Sequence, residues 1–242
     1  MLYNDDYINV LKNIPSKSID LVYADPPYDV HVNPEDTTGS CNTRMKLAKS
    51  LEPLNHLHCD TFNIDLFCNE MIRVLKDINI YVWCNKSQII KYMNIFVNKY
   101  KCNYTILFWN KTNALPTYYN KYIDDIEYCL YFYTPGVYCK PMCYNDAKKF
   151  YISPINRENK IYNHPTIKPL PFVKSMISNS TKEGYVVLDP FMGTGTTGVA
   201  CKELNRNLNF IGIEINENYY KTALNRIEGT FVDKQLRKKV LW

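Results

Sequence analysis

Only 8 of the 242 residues are glycine, so any place where glycines gather marks a backbone with a special conformational demand. No stretch is long and apolar enough to cross a membrane as a helix. The start, Met1-Leu2-Tyr3-Asn4-Asp5-Asp6, is acidic and lacks the apolar run of a secretory signal. An intracellular protein, cytoplasmic or nucleoid-associated, is therefore expected. The nine cysteines are odd in number and contain no Cys-x-x-Cys pair, which points to reduced thiols rather than a disulfide framework. His56, His58 and Cys59 cluster, and Cys139 and Cys143 stand four apart; neither is a zinc-ligand pattern, and no metal is expected. Internal repeats and low-complexity linkers are also missing, so residues 1–242 read as one domain, long enough to bury a full core. The net charge, 29 − 24 = +5, is compatible with a nucleic-acid partner without establishing one.

What is present begins with Asp25-Pro26-Pro27-Tyr28. The tetrapeptide closes an apolar run, Ile19 to Ala24, that reads as a buried strand. Two prolines end the strand at once, since they donate no hydrogen bond and fix φ. The corner offers a carboxylate, a free carbonyl and an aromatic ring at a strand's C-terminal edge, where α/β sheets bind ligands. Two neighbouring acceptors suit an amino group with two N–H donors, and the ring suits the flat molecule carrying it.

Three of the eight glycines fall together in Val186-Val187-Leu188-Asp189-Pro190-Phe191-Met192-Gly193-Thr194-Gly195-Thr196-Thr197-Gly198. This reads as a strand, a glycine turn and a helix starting near Thr196, whose unpaired N–H groups favour a carboxylate. A second strand, Asn209 to Ile213, ends in Glu214. An acid at that position accepts hydrogen bonds from ribose hydroxyls in nucleotide-binding α/β units. Asn216 reads as the N-cap of the next helix.

With both motifs in view, the chain resembles the β group of S-adenosylmethionine-dependent DNA amino-methyltransferases, the circularly permuted type in which the Asp-Pro-Pro-Tyr motif precedes the cofactor motif. The resemblance covers nearly the whole chain. It implies an α/β, Rossmann-like methyltransferase fold, a mostly parallel sheet with helices on both faces. It also implies methyl transfer to the N6 amino group of adenine in DNA, with Asp25, Pro26, Pro27 and Tyr28 at the catalytic corner. The implied cofactor is S-adenosyl-L-methionine, held by Asp6, Asp25, Thr166, Lys168, Asp189, Phe191, Gly193, Gly195, Thr196, Thr197 and Glu214. Thr166 and Lys168 belong to His164-Pro165-Thr166-Ile167-Lys168-Pro169, which is similar to the family's His-Pro-Thr-Gln-Lys-Pro. Phe108-Trp109-Asn110-Lys111 and Asp125-Ile126-Glu127-Tyr128 resemble weaker motifs lining the base pocket.

In this reading Asp25 and the Pro26 carbonyl accept from the two N6 protons and make the nitrogen more nucleophilic. The base leaves the helix to reach them, and Tyr28 stacks on it. Methylation at cytosine carbon-5 is disfavoured, because no cysteine directly follows a proline. N4-cytosine methylation uses the same acceptors and stays an alternative, as does a non-catalytic DNA-binding subunit. A homodimer and a cognate restriction endonuclease are candidate partners.

The remaining chain reads as helices over about 7–12, 64–75 and 87–100, and strands over 78–83, 104–109 and 126–133. Residues 29–60 read as a lid or mobile loop. Residues 111–124 mix aromatics with bases, suiting DNA contact. A short target-recognition insertion is expected over 137–163.

Overall fold

The computed structural model describes residues 1–28, 62–114, 122–155, 161–162, 164 and 166–229. The expected lid, residues 115–121 of the aromatic-basic loop and the chain after Gly229 lie outside these residues. Among the described residues, eight strands form one sheet: β1 (Leu2–Tyr3), β2 (Leu21–Ala24), β3 (Asn79–Cys84), β4 (Asn103–Lys111), β5 (Ile126–Tyr133), β6 (Phe150–Ser153), β7 (Val186–Asp189) and β8 (Asn209–Ile213). Their order is β1-β8-β7-β2-β3-β5-β4-β6. Strand β5 is antiparallel to both neighbours, and every other pairing is parallel.

The helices are α1 (Tyr7–Leu11), α2 (Ile64–Val74), α3 (Ile89–Met93), α4 (Leu170–Ser180), α5 (Thr196–Glu203) and α6 (Glu217–Glu228). Helix α3 runs on into a wide π turn over Asn94–Lys99 rather than the single α-helix read from the sequence. The π segment keeps Phe96 fully buried, stacked on Phe132 at 4.5 Å. Asp6, Asn63 and Asn216 cap α1, α2 and α6 with side-chain oxygens, satisfying amides that a helix start leaves unpaired.

Two apolar layers sandwich the sheet. On one face α1, α2 and α3 bury Leu11, Phe67, Met71 and Tyr92 against Val22, Ile80, Val82 and Phe132. On the other, α4 and α5 bring Phe172, Val173, Met176, Ile177 and Ala200 onto Leu21, Tyr81, Trp83 and Val187. Strands β2 and β3 are buried throughout, as their unbroken apolar runs require in the middle of a parallel sheet.

Strands β2 and β7 pair in register, Leu21 with Val187 and Val22 with Leu188. The Asp25 and Asp189 motifs therefore leave the sheet side by side, although 164 positions separate them in sequence (189 − 25). Asp20 ties the opposite ends of the same strands, accepting from the Val186 amide at 2.9 Å and from Lys76 at 2.7 Å. Strand β6 was not read from the sequence. It pairs with β4 and turns part of the expected recognition insertion into a sheet edge.

Candidate active site

The Asp25 corner stands where β2 ends. Behind it Gln88, 1% exposed, donates to the Pro27 carbonyl at 3.3 Å and fixes the turn from the end of β3. Both carboxylate oxygens of Asp25 are engaged: Oδ1 accepts from the Tyr28 hydroxyl at 2.9 Å, and Oδ2 from Lys168 Nζ at 2.6 Å. Lys168 also donates to the Tyr28 hydroxyl at 3.1 Å and lies 4.9 Å from the centre of the Trp83 ring. Trp83 is held in turn by its N–H bond to the Tyr23 hydroxyl at 2.6 Å.

Lys168 has a second carboxylate. Glu127 Oε2 lies 3.1 Å from its ammonium, and Glu127 Oε1 lies 2.5 Å from Lys111. Four charges of alternating sign thus run Lys111, Glu127, Lys168, Asp25, summing to zero. The reversed direction of β5 makes this possible. Its entry end, not its exit, reaches the edge where β2, β3 and β4 finish, so Glu127 sits opposite Trp109 and beside Lys111. Burial raises the pKa of Asp25 against the pull of Lys168. Burial also pushes Glu127 up, but Lys168 and Lys111 together overcome it and leave its pKa lowered. Lys168 is raised because its two carboxylates outweigh its burial.

The second half of the site is the glycine turn after β7. Asp189, 2% exposed, accepts from the Phe191 amide at 3.0 Å and from the Thr197 hydroxyl at 2.5 Å. Its carboxylate therefore shapes the turn rather than facing outward, and burial pushes its pKa up to about 7. Gly195 caps α5 with φ +84°, a left-handed geometry that costs other residues about 1–2 kcal/mol. An added Cβ there would also stand 2.9 Å from the Ala223 Cβ. Arg226, which the sequence reading passed over, reaches from α6 to the turn. It donates to the Thr194 carbonyl at 2.8 Å and to the Thr196 hydroxyl at 3.3 Å, and packs 4.2 Å from the Tyr162 ring.

Glu214 follows β8. It accepts from the Gly193 amide at 3.0 Å and the Asn216 amide at 2.7 Å, and burial raises its pKa. The Asn4 side chain donates to the Glu214 carbonyl at 2.8 Å, which lays the segment leading to Asp6 across the end of β8. Phe191 lies among Tyr7, Phe62 and Phe67, with ring centres 4.9, 5.7 and 5.7 Å away. Tyr7, Phe62 and Phe191 are partly buried and pack on the fully buried Phe67. His164 packs on Tyr219 at 4.7 Å and accepts from the Thr166 amide at 3.2 Å. Burial and the charges of Lys168 and Arg226 lower its pKa to about 4, which keeps it neutral at neutral pH.

The structure thus gathers the expected residues at one sheet edge, in two neighbouring sets. Asp25, Tyr28 and Lys168 form one. Asp189, Phe191, Gly193, Gly195, Thr196, Thr197 and Glu214 form the other, with the Asp6 segment alongside. Glu127 and Lys111 appeared in the sequence only as parts of loosely matching segments, and Arg226 looked like one more charge on an amphipathic helix. Among the described residues, no group of three His, Cys, Asp or Glu side chains is placed to hold a metal ion. No helix among them is long and apolar enough to cross a membrane.

Residues 19–225 match the family described as DNA methylase. Among curated relatives, the type II methyltransferase M.HinfI of Haemophilus influenzae is 27% identical, over 92% of this chain and 66% of its own length. The chain thus spans just under two thirds of that relative. The DNA adenine methyltransferase YhdJ of Escherichia coli K12 is 28% identical, over 94% of this chain and 82% of its own length. Two solved structures show the same fold. The M1.HpyAVI–SAM complex has a TM-score of 0.67 at 24% identity, covering 93% of this chain and 98% of that one. The PvuII DNA methyltransferase, titled cytosine-N4-specific, has a TM-score of 0.67 at 16% identity, covering 96% and 86%.

Proposed function

This chain belongs to the DNA methylase family, and on that premise we propose that it transfers a methyl group from S-adenosyl-L-methionine to the N6 amino group of adenine in DNA. The observation that carries the reading is the pairing of β2 with β7, which sets the Asp25 corner directly beside the glycine turn. An amine acceptor and a cofactor cradle at adjacent strand ends are what direct displacement between two bound molecules requires.

The residues present fit the cofactor. The partly buried rings of Tyr7, Phe62 and Phe191 suit its adenine ring, and Glu214 suits its ribose hydroxyls. The start of α5 presents amides that favour a carboxylate. Asp189 and Arg226 act indirectly, by holding the turn in shape. The cofactor supplies an activated methyl group on a sulfonium.

The chain's own part lies at Asp25. Its carboxylate and the Pro26 carbonyl accept hydrogen bonds from the two amine N–H groups and orient the nitrogen lone pair for attack, and one proton leaves once the methylated nitrogen has become acidic; positioning and electrostatics provide the rate. To offer Oδ1, Asp25 exchanges its bond from Tyr28 for one from the amine, and the released Tyr28 ring stacks on the base. A base can reach this corner only outside the duplex stack.

The name of the Escherichia coli relative supports adenine as the target, and the type II name of M.HinfI supports a cognate restriction endonuclease as partner. An enzyme acting on DNA works inside the cell. A homodimer would enlarge the surface available for reading a site, since only residues 137–163 fall to a recognition insertion.

The test is methyl transfer from labelled S-adenosylmethionine to duplex DNA, single-stranded DNA and RNA, with the modified nucleoside identified by mass spectrometry. N6-methyladenine in DNA is expected. N4-methylcytosine keeps the acceptor chemistry and overturns the adenine assignment, while cofactor binding without any product overturns turnover itself.

A further inference from the structure

The buried carboxylate of Glu127 touches neither the amine nor the cofactor in the proposed transfer, yet it sits within an ion-pair distance of a lysine that binds Asp25. Resting on the amine-methylation reading, we infer that Glu127 is a positioning residue: it divides the Lys168 ammonium with Asp25, so that the lysine does not tie up the carboxylate needed by the amine.

The geometry argues for sharing. Lys168 is 4% exposed and lies 2.6 Å from Asp25 and 3.1 Å from Glu127. A lysine held by Asp25 alone would place its full charge on that carboxylate. Without Glu127, the remaining Lys111, Lys168 and Asp25 would also carry one surplus positive charge beside an amine that gains positive charge as the methyl group arrives. A positive charge opposing a developing positive charge slows the reaction, and the effect is large where water is excluded. Glu127 supplies the missing negative charge. Lys111, 18% exposed, balances Glu127 from the solvent side, so the buried carboxylate is not left unpaired. Lys111 also lies 5.4 Å from the Trp109 ring, which keeps its ammonium over β4.

The titration of Asp25 separates this role from simple packing. Its carboxyl faces Lys168, Tyr28 and Glu127. If Glu127 shares the lysine, Glu127→Gln leaves the ammonium to Asp25 and removes a neighbouring negative charge. Both changes move the Asp25 titration to lower pH. If Glu127 merely keeps Lys168 from drifting away, its loss frees the lysine. The Asp25 titration then moves to higher pH, because the pull of Lys168 is the stronger influence.

The experiment is carboxyl-carbon NMR of Asp25 in the full chain, wild type against Glu127→Gln, alongside kcat and KM for DNA and cofactor. The expected result is a downward shift of the Asp25 titration, with kcat reduced on the order of tenfold, an unchanged cofactor KM, and partial recovery in Glu127→Asp. An upward shift, an unmoved titration or wild-type kcat overturns the inference. If Glu127→Gln folds poorly, the double variant Glu127→Gln with Lys111→Met removes a whole ion pair and keeps the remaining charges balanced. It carries the same expected downward shift of the Asp25 titration, and an upward or unmoved titration overturns the inference there too. The NMR readout needs no turnover, so a wild-type protein that methylates nothing would sink the functional reading while leaving the sharing of Lys168 separately measurable.

Discussion

The Tyr28 hydroxyl donates to Asp25 Oδ1 at 2.9 Å, so the aromatic and acidic groups of the corner hold each other. Tyr28→Phe removes that bond and leaves the ring. It should keep DNA methylation within a few-fold of wild type, since the carboxylate oxygen is then open to the amine. Tyr28→Ala removes the stacking surface, worth about 1–3 kcal/mol per base, and should lower kcat/KM for DNA by about five- to hundredfold. Asp25→Ala should abolish transfer while calorimetry still shows cofactor binding. Equal losses in the two Tyr28 variants would argue against stacking.

Glu214 accepts from the amides of Gly193 and Asn216, so it shapes the cradle in addition to its proposed ribose contact. Glu214→Ala should weaken S-adenosylmethionine binding by about 1.5–3 kcal/mol, the worth of hydrogen bonds to a charged group. Isothermal titration against Glu214→Gln, which keeps an acceptor, measures the charge separately. Unchanged affinity in the alanine variant would refute the ribose role.

Asp189 is titrated by folding in the direction opposite to that of a salt-bridged acid. Its folded pKa is about 7, above the ordinary carboxylate value of 3.8, with burial as the cause. Between those values the folded chain binds the proton and the unfolded chain has lost it. Stability from this group is therefore greatest below about pH 4 and is lost as pH rises to about 7. Asp189→Asn removes the titration while keeping an acceptor for the Phe191 amide. Its melting temperature should fall less between pH 4 and pH 7 than that of the wild type, and parallel curves would contradict the shift.

Gly195 combines φ +84° with an approach to Ala223 that leaves no room for a Cβ. Gly195→Ala should cost at least about 1–2 kcal/mol of stability from the backbone alone, seen as a lower denaturant midpoint, and should weaken cofactor binding. Gly184→Ala is the control: φ is +77° there too, but nothing lies within 4 Å of an added Cβ. It should lose stability and keep its affinity.

The corner and the cradle were legible in the sequence because both are local. Asp25 to Tyr28 and Asp189 to Gly198 are contiguous stretches whose prolines and glycines dictate backbone shape. Strand positions were legible too, from apolar runs. Strand direction was not. The alternation within Ile126 to Tyr133 is the same whichever way the strand runs, and its reversal alone brings Glu127 to the site. Lys168 and Glu127 are 41 residues apart and meet only in the folded sheet, so no spacing rule links them. Arg226 was illegible for a similar reason: on a helix with an exposed face, one arginine looks like another until its partners at Thr194 and Thr196 are seen. The short β6 was hidden because its four residues carry too little pattern to stand out.

The placement of β2 has a consequence for how the chain becomes an enzyme. One neighbour, β7, is made some 160 residues later, and the counter-charge for Lys168 arrives on a strand that must wedge between β3 and β4. Local helices and the proline corner can form early, but no partly folded chain owns a working site. The proposed site is complete only when β5 lies between β3 and β4, so a mutation that slows its insertion should delay the onset of the proposed methyl transfer during refolding while leaving the rate of the finished chain unchanged.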